Sequence, residues 1–144
     1  MRYKFTVTGK IRDFVEWQLT HYWENTKQLE QYKMDMIPSP TPSYSLTGGG
    51  GGNSESRPSE QLVLRMVTDR YIVETTRIVE SIKSVLEHTS DDDLRLIDLV
   101  YWKQTYSIEG AGMILNMSKS TAYRRVNDIL TAIAVELGYI QFAL

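Results

Sequence analysis

Ser107-Ile108-Glu109-Gly110-Ala111-Gly112-Met113-Ile114-Leu115-Asn116-Met117-Ser118-Lys119-Ser120-Thr121-Ala122-Tyr123-Arg124-Arg125-Val126 reads as a short helix, a tight polar turn and the start of a longer, capped helix. Ile108, Ala111, Ile114 and Leu115 suit the buried face of a bracing first helix, and Ala111 and Gly112 are small, as close helix contact requires. Asn116 tolerates a left-handed turn backbone. Met117 is placed to fill the gap between the helices, and Ser118 to cap the second one. Along that second helix Ala122, Val126, Ile129 and Ile133 recur at spacings of four, three and four, with Leu130 and Leu137 beside them, which makes an inner stripe. Lys119, Ser120, Tyr123, Arg124 and Asn127 fall on the other side, toward the N-terminal end. A helix-turn-helix presents side chains to a DNA major groove in this way. Arg can take two bonds from guanine and Asn can read adenine. Ser120, Thr121 and Tyr123 can serve phosphate or base edges. Arg125 lies nearer the inner face, where its stem can be buried with the head reaching outward. The pattern is degenerate, and a purely structural hairpin has the same spacing.

Upstream, the chain divides into three further stretches. Ile11 to Ile37 contains no Pro or Gly and reads as one long helix, with Phe14, Trp17 and His21 at helical spacing, as are Leu29, Tyr32 and Met36. Pro38, Pro40, Pro42 and five consecutive glycines at 48–52 then forbid regular structure up to about Ser59. That tether, over about 20 residues, spans on the order of 25 Å as a coil. Ser59 to Thr89 reads as a second long helix with the stripe Leu64, Val67, Tyr71, Ile78, Ile82, Val85 and Leu86. Ser90 is a good N-cap, and Asp91, Asp92 and Asp93 in the following first turn complement the positive end of a helix that runs to about Thr105. Gly138 ends the last helix, leaving the apolar tail Tyr139-Ile140-Gln141-Phe142. The fold class expected is all-α: an N-terminal helical arm (1–37), a flexible linker (38–59) and a helical DNA-binding domain (60–144) with its helix-turn-helix at 107–137.

Composition narrows the chemistry. The 144 residues hold no cysteine, which excludes disulfides, thiolate metal sites and cysteine nucleophiles. The start, Met1 to Thr8, lacks the apolar core of a signal peptide, and no stretch approaches a membrane span. A cytoplasmic protein without membrane contact is expected. His21 and His88 stand in different segments with no ligand set around them, so no metal, cofactor or catalytic residue is expected. The glycine run lacks the Gly-Lys-Ser/Thr ending of a phosphate-binding loop. Trp17, Trp23 and Trp102 read as core or subunit interface. A net charge of −2 opposes strong DNA binding, since phosphate neutralisation supplies much of the affinity. Between Asn116 and Asn127, however, the only ionised residues are Lys119, Arg124 and Arg125. So small a positive window needs a second copy, or a protein already on the DNA, to bind well.

Asp93 to Leu137 resembles the fourth region of primary sigma factors, in the version found in the RinA and ArpU families of phage transcriptional regulators. The residues that carry the likeness are Met117-Ser118-Lys119-Ser120-Thr121-Ala122-Tyr123-Arg124-Arg125 and Ile133-Ala134-Val135-Glu136-Leu137-Gly138. Gln18-Leu19-Thr20-His21-Tyr22-Trp23-Glu24-Asn25-Thr26-Lys27-Gln28-Leu29-Glu30 is similar to the N-terminal helix of RinA-like proteins, which continue with a Pro/Gly-rich linker and a long helix. The chain departs from the pattern at Val126, Asn127 and Asp128, where relatives often carry basic residues. The resemblance implies an activator of late genes, those for packaging and structural proteins, in a temperate phage or prophage within a bacterial host. The expected partner is double-stranded DNA, which the helix pattern would bring into contact with Lys119, Ser120, Thr121, Tyr123, Arg124, Arg125 and Asn127. The helical arm would serve self-association into a homo-oligomer or contact with host RNA polymerase. Two other readings stay open: a small terminase subunit that marks viral DNA for packaging, and a helical adaptor that binds only protein.

Overall fold

A computed structural model describes residues 6–38 and 58–140. In chain order the helices are α1 (Gly9–Thr20), α2 (Tyr22–Met36), α3 (Pro58–Thr68), α4 (Arg70–Glu87), α5 (Asp91–Ile97) leading into a π-helical turn (Asp98–Trp102), α6 (Ile108–Ile114) and α7 (Lys119–Glu136). The described residues contain no strand, so the all-α expectation holds. The tether expected over 38–59 lies, apart from its ends, outside the described residues, as do Gln141 and Phe142 of the apolar tail.

Both stretches read as single long helices are broken. The first breaks at His21 (φ −97°, ψ 12°), whose ring stacks on Trp17 with centroids 4.1 Å apart. Its buried stripe is Val15, Leu19, Tyr22 and Leu29, not Phe14, Trp17 and His21. Of the three tryptophans expected in the core or a subunit interface, Trp17 and Trp23 are more than half exposed and so lie outside the core of this chain, while Trp102 packs against it and donates its Nε1–H to the Leu19 carbonyl at 2.9 Å. Two stripes of similar spacing compete on this helix. The one through Val15, Leu19, Tyr22 and Leu29 is buried, while Trp17 stacks on His21 at the surface. The second stretch breaks at Asp69, held in extended backbone (φ −65°, ψ 122°), where its Oδ1 accepts the Ile72 N–H at 3.0 Å. A carboxylate that caps a new helix offers the chain an alternative to continuing the old one. The helix after Ser90 starts as expected, with Ser90 Oγ accepting from the Asp93 N–H. It then widens: the Lys103 N–H reaches the Asp98 carbonyl at 2.7 Å, five residues back.

The core sits around α7. Val126, Leu130 and Ile133 meet Val15 and Leu19 of α1, Ile82 of α4, and Leu96 and Ile97 of α5, all essentially without solvent contact. Burying side chains of this size contributes roughly 1.5–3 kcal/mol each as an upper bound. The first half of the expected arm is therefore part of the C-terminal core. Polar bonds repeat the message. Arg12 Nη1 donates to Asn127 Oδ1 at 2.6 Å, the Val7 N–H to Thr131 Oγ1 at 3.4 Å, and the Tyr101 hydroxyl to Glu16 Oε2 at 3.1 Å. Burial, with Glu16 alongside, pushes the Tyr101 phenol well above its ordinary range, so it stays a neutral donor. At the C-terminal end Gly138 adopts φ +79°, and the N–H groups of Gly138 and Tyr139 return to the carbonyls of Val135 and Ala134. That two-bond cap needs a left-handed residue, which glycine supplies without strain.

Candidate nucleic-acid interface

The α6–α7 hairpin is built from local signals that agree with one another. Ser107 Oγ accepts the Gly110 N–H at 3.1 Å, and Ser118 Oγ accepts the Thr121 N–H at 3.2 Å, so each helix starts on a serine cap. Asn116 takes φ +58° in the turn. The Met117 N–H then closes back on the Gly112 carbonyl at 2.7 Å. A Cβ on Gly112 would stand 2.7 Å from the Ala122 Cβ, so these two positions set how closely α6 approaches α7. Ala122, Val126, Ile129, Leu130, Ile133 and Leu137 are all buried, as their spacing requires. Ile114 is the exception on α6: expected in the brace, it is 46% exposed. The inward face of that short helix is Ile108, Ala111, Gly112 and Leu115, and Ile114 falls outside that arc.

The seven residues expected to meet DNA separate into two sets. Lys119, Ser120, Tyr123 and Arg124 are exposed at the front of α7, Tyr123 at 39%. Arg124 has no ion pair or hydrogen bond among the described residues. Lys119 Nζ lies 3.4 Å from Glu109 Oε2 on α6, with both side chains at least half exposed, so water and salt screen the pair. Ser120 Oγ is 3.3 Å from Ser118 Oγ. The other three face the protein. Thr121 Oγ1 accepts from Ser118 Oγ at 2.9 Å and belongs to the cap. Arg125 donates to Asp93 Oδ1 of α5 at 3.1 Å, and Asn127 accepts from Arg12 of α1. Asp93 and Arg12 are the residues that sequence reasoning missed. They clamp α7 from two sides and fix which of its faces is presented. The inward lean of Arg125 was readable from its place beside the stripe, whereas nothing local announced Arg12.

The remaining candidates for chemistry are quiet. His21 Nδ1 and His88 Nδ1 each lie 2.8 Å from a carbonyl four residues back, those of Trp17 and Ser84, which makes them helix-end residues. Among the described residues no group of three or more His, Cys, Asp or Glu is placed to hold a metal ion. No helix there is long and apolar enough to cross a membrane.

No curated protein and no solved structure matches the chain. Residues 17–135 match the model of the family described as "Protein of unknown function (DUF722)", a span from the last turn of α1 to the last turn of α7, and the chain belongs to that family.

Proposed function

We propose that this protein is a sequence-specific DNA-binding transcriptional regulator that seats the front of α7 in the major groove. The observation that carries the reading is Arg124. It is an exposed, unpaired guanidinium in the second turn of a capped helix whose opposite face is buried and whose sides are clamped by Asp93 and Arg12. A guanidinium held on a rigid element can make the bidentate contact to guanine. Tyr123 and Ser120 are placed for base edges or phosphate, and Lys119 for phosphate. The free N–H groups at the start of α7 add a positive end for a backbone phosphate. Thr121, Arg125 and Asn127 then act by positioning: they hold the cap and the orientation of α7. The reaction class is binding alone, without catalysis, in the cytoplasm of a bacterial host. The sigma-like resemblance supports promoter DNA beside host RNA polymerase, and activation of late phage or prophage genes, as the setting.

The test is selection of duplexes from a random pool by the full chain, followed by footprinting of the enriched sequence on the upstream region of phage late genes. A single enriched motif with protection of the promoter is expected. A chain that enriches no sequence, even at low salt, is not a regulator of this kind. Tight rings in solution that protect a packaging site would instead favour the terminase reading.

A further inference from the structure

The front of α7 carries less free charge than its sequence suggests. Three cations lie between Asn116 and Asn127, namely Lys119, Arg124 and Arg125. Two of them meet carboxylates of earlier helices. Arg125 meets Asp93 of α5 at 3.1 Å, and Lys119 Nζ meets Glu109 Oε2 of α6 at 3.4 Å. Only Arg124 has no such partner among the described residues. The two pairs differ in setting. The Arg125 and Asp93 side chains are 35% and 23% exposed, and that pair holds α7 in place. The Lys119 and Glu109 side chains are 65% and 51% exposed, and so open a pair adds little to stability. Nor is Glu109 the cap of its own helix. Ser107 Oγ already accepts the Gly110 N–H, and the third helical position, where the carboxylate of a capping box would stand, is Gly110. Glu109 is thus a carboxylate spare to the fold, set beside the one lysine of α7.

We propose that Glu109 limits the affinity of this surface for DNA by neutralising Lys119, and that it takes no part in the choice of sequence. The proposal rests on the reading of α7 as the helix that faces DNA. A net-neutral pair releases little condensed counterion when it meets a phosphate, whereas a free lysine releases about one. Phosphate contacts add affinity on any sequence, and base contacts discriminate between sequences. Glu109 and Arg124 therefore act on separable terms. Glu109 sets the level of binding to all DNA, and Arg124 sets the preference. With Lys119 held, Arg124 is the one uncompensated cation of the 116–127 window. Competing genomic sites are very numerous, so a lower affinity for all DNA leaves more of the chain free for its promoter.

Equilibrium binding of the full chain to the selected duplex and to one of scrambled sequence, between about 50 and 200 mM salt, tests this. Glu109→Gln removes the charge and keeps the shape. It should tighten binding about three- to tenfold at the low-salt end, by the same factor on both duplexes. The gain should shrink about threefold by the high-salt end, as one added phosphate contact dictates. In a Lys119→Gln background the same substitution should gain much less, because the two residues act as a pair. Helical circular dichroism should be retained throughout. Unchanged or weaker binding by Glu109→Gln, where the wild type binds DNA, overturns the proposal and leaves the reading of α7 standing; Glu109 is then only an acid favouring the start of α6. An equal gain with and without Lys119, or a gain confined to the selected duplex, overturns it too. Absence of DNA binding by wild type and variant alike, even at low salt, overturns both the proposal and the reading of α7.

Discussion

α7 and α3 look alike in sequence and opposite in the structure. Each carries an apolar stripe at helical spacing, and α3 is if anything the more sharply two-faced. α7 buries seven residues against α1, α4, α5 and α6, whereas α3 buries none. A stripe in a sequence states that a face wants cover; it does not say whether the cover comes from the same chain. For α7 the answer lies within the fold. Its outer side is thereby freed for contact, and its orientation is set by packing. For α3 the described residues provide no such cover.

The largest separation between the two helices should appear in stability. Ile133→Ala should cost about 2–5 kcal/mol by leaving a cavity in a packed core. Val67→Ala should stay within about 0.5 kcal/mol, as surface changes do. Denaturant unfolding of both variants measures the difference, and equal costs would mean that α3 is covered within its own chain. A smaller effect is expected at the α6–α7 contact. Gly112→Ala forces a Cβ against that of Ala122, and because both atoms are fixed to helix backbones, the helices must part. A loss of about 1–3 kcal/mol follows, together with weaker DNA binding because the front of α7 shifts. Ala122→Gly should recover part of this in the double variant, less the roughly 1 kcal/mol that glycine costs inside a helix.

The smallest effect concerns the root of α3. The Ile72 N–H and then the Tyr32 hydroxyl hold the Asp69 carboxyl below its ordinary value of 3.8. A depressed carboxyl contributes stability that is present above its unfolded value and is lost as pH falls through the lower folded one. The Asp69 cap should therefore survive down to pH values below the ordinary aspartate range. NMR titration of the Ile72 amide should show its step there, and Asp69→Asn should abolish that step. A step at the ordinary value would mean that the cap forms only weakly.

The hairpin was legible because its determinants are local. Ser107 and Ser118 announce helix starts, Asn116 a left-handed turn, and the 122–126–129–133 spacing a buried face. Asp69 and Gly138 were also visible as punctuation, although only Gly138 was read as an end. His21 gave no such signal: neither Gly nor Pro marks the break, and Phe14 and Trp17 on one side concealed the neighbouring stripe that is buried. The division of the candidate site into outward and inward residues was beyond local reading. Asp93 lies 32 residues from Arg125, and Arg12 lies 115 from Asn127, so only the tertiary fold brings them together.

The central claim is that α7 meets DNA through its exposed front, with Arg124 reading a base. The most direct measurement is the equilibrium affinity of wild type and Arg124→Ala for the selected duplex and for a scrambled one, at fixed salt and fixed protein concentration. Arg124→Ala should lose about 1–3 kcal/mol on the selected duplex and much less on the scrambled one, with relaxed preference at one base pair. Equal losses on both duplexes, or none on either, would contradict the account.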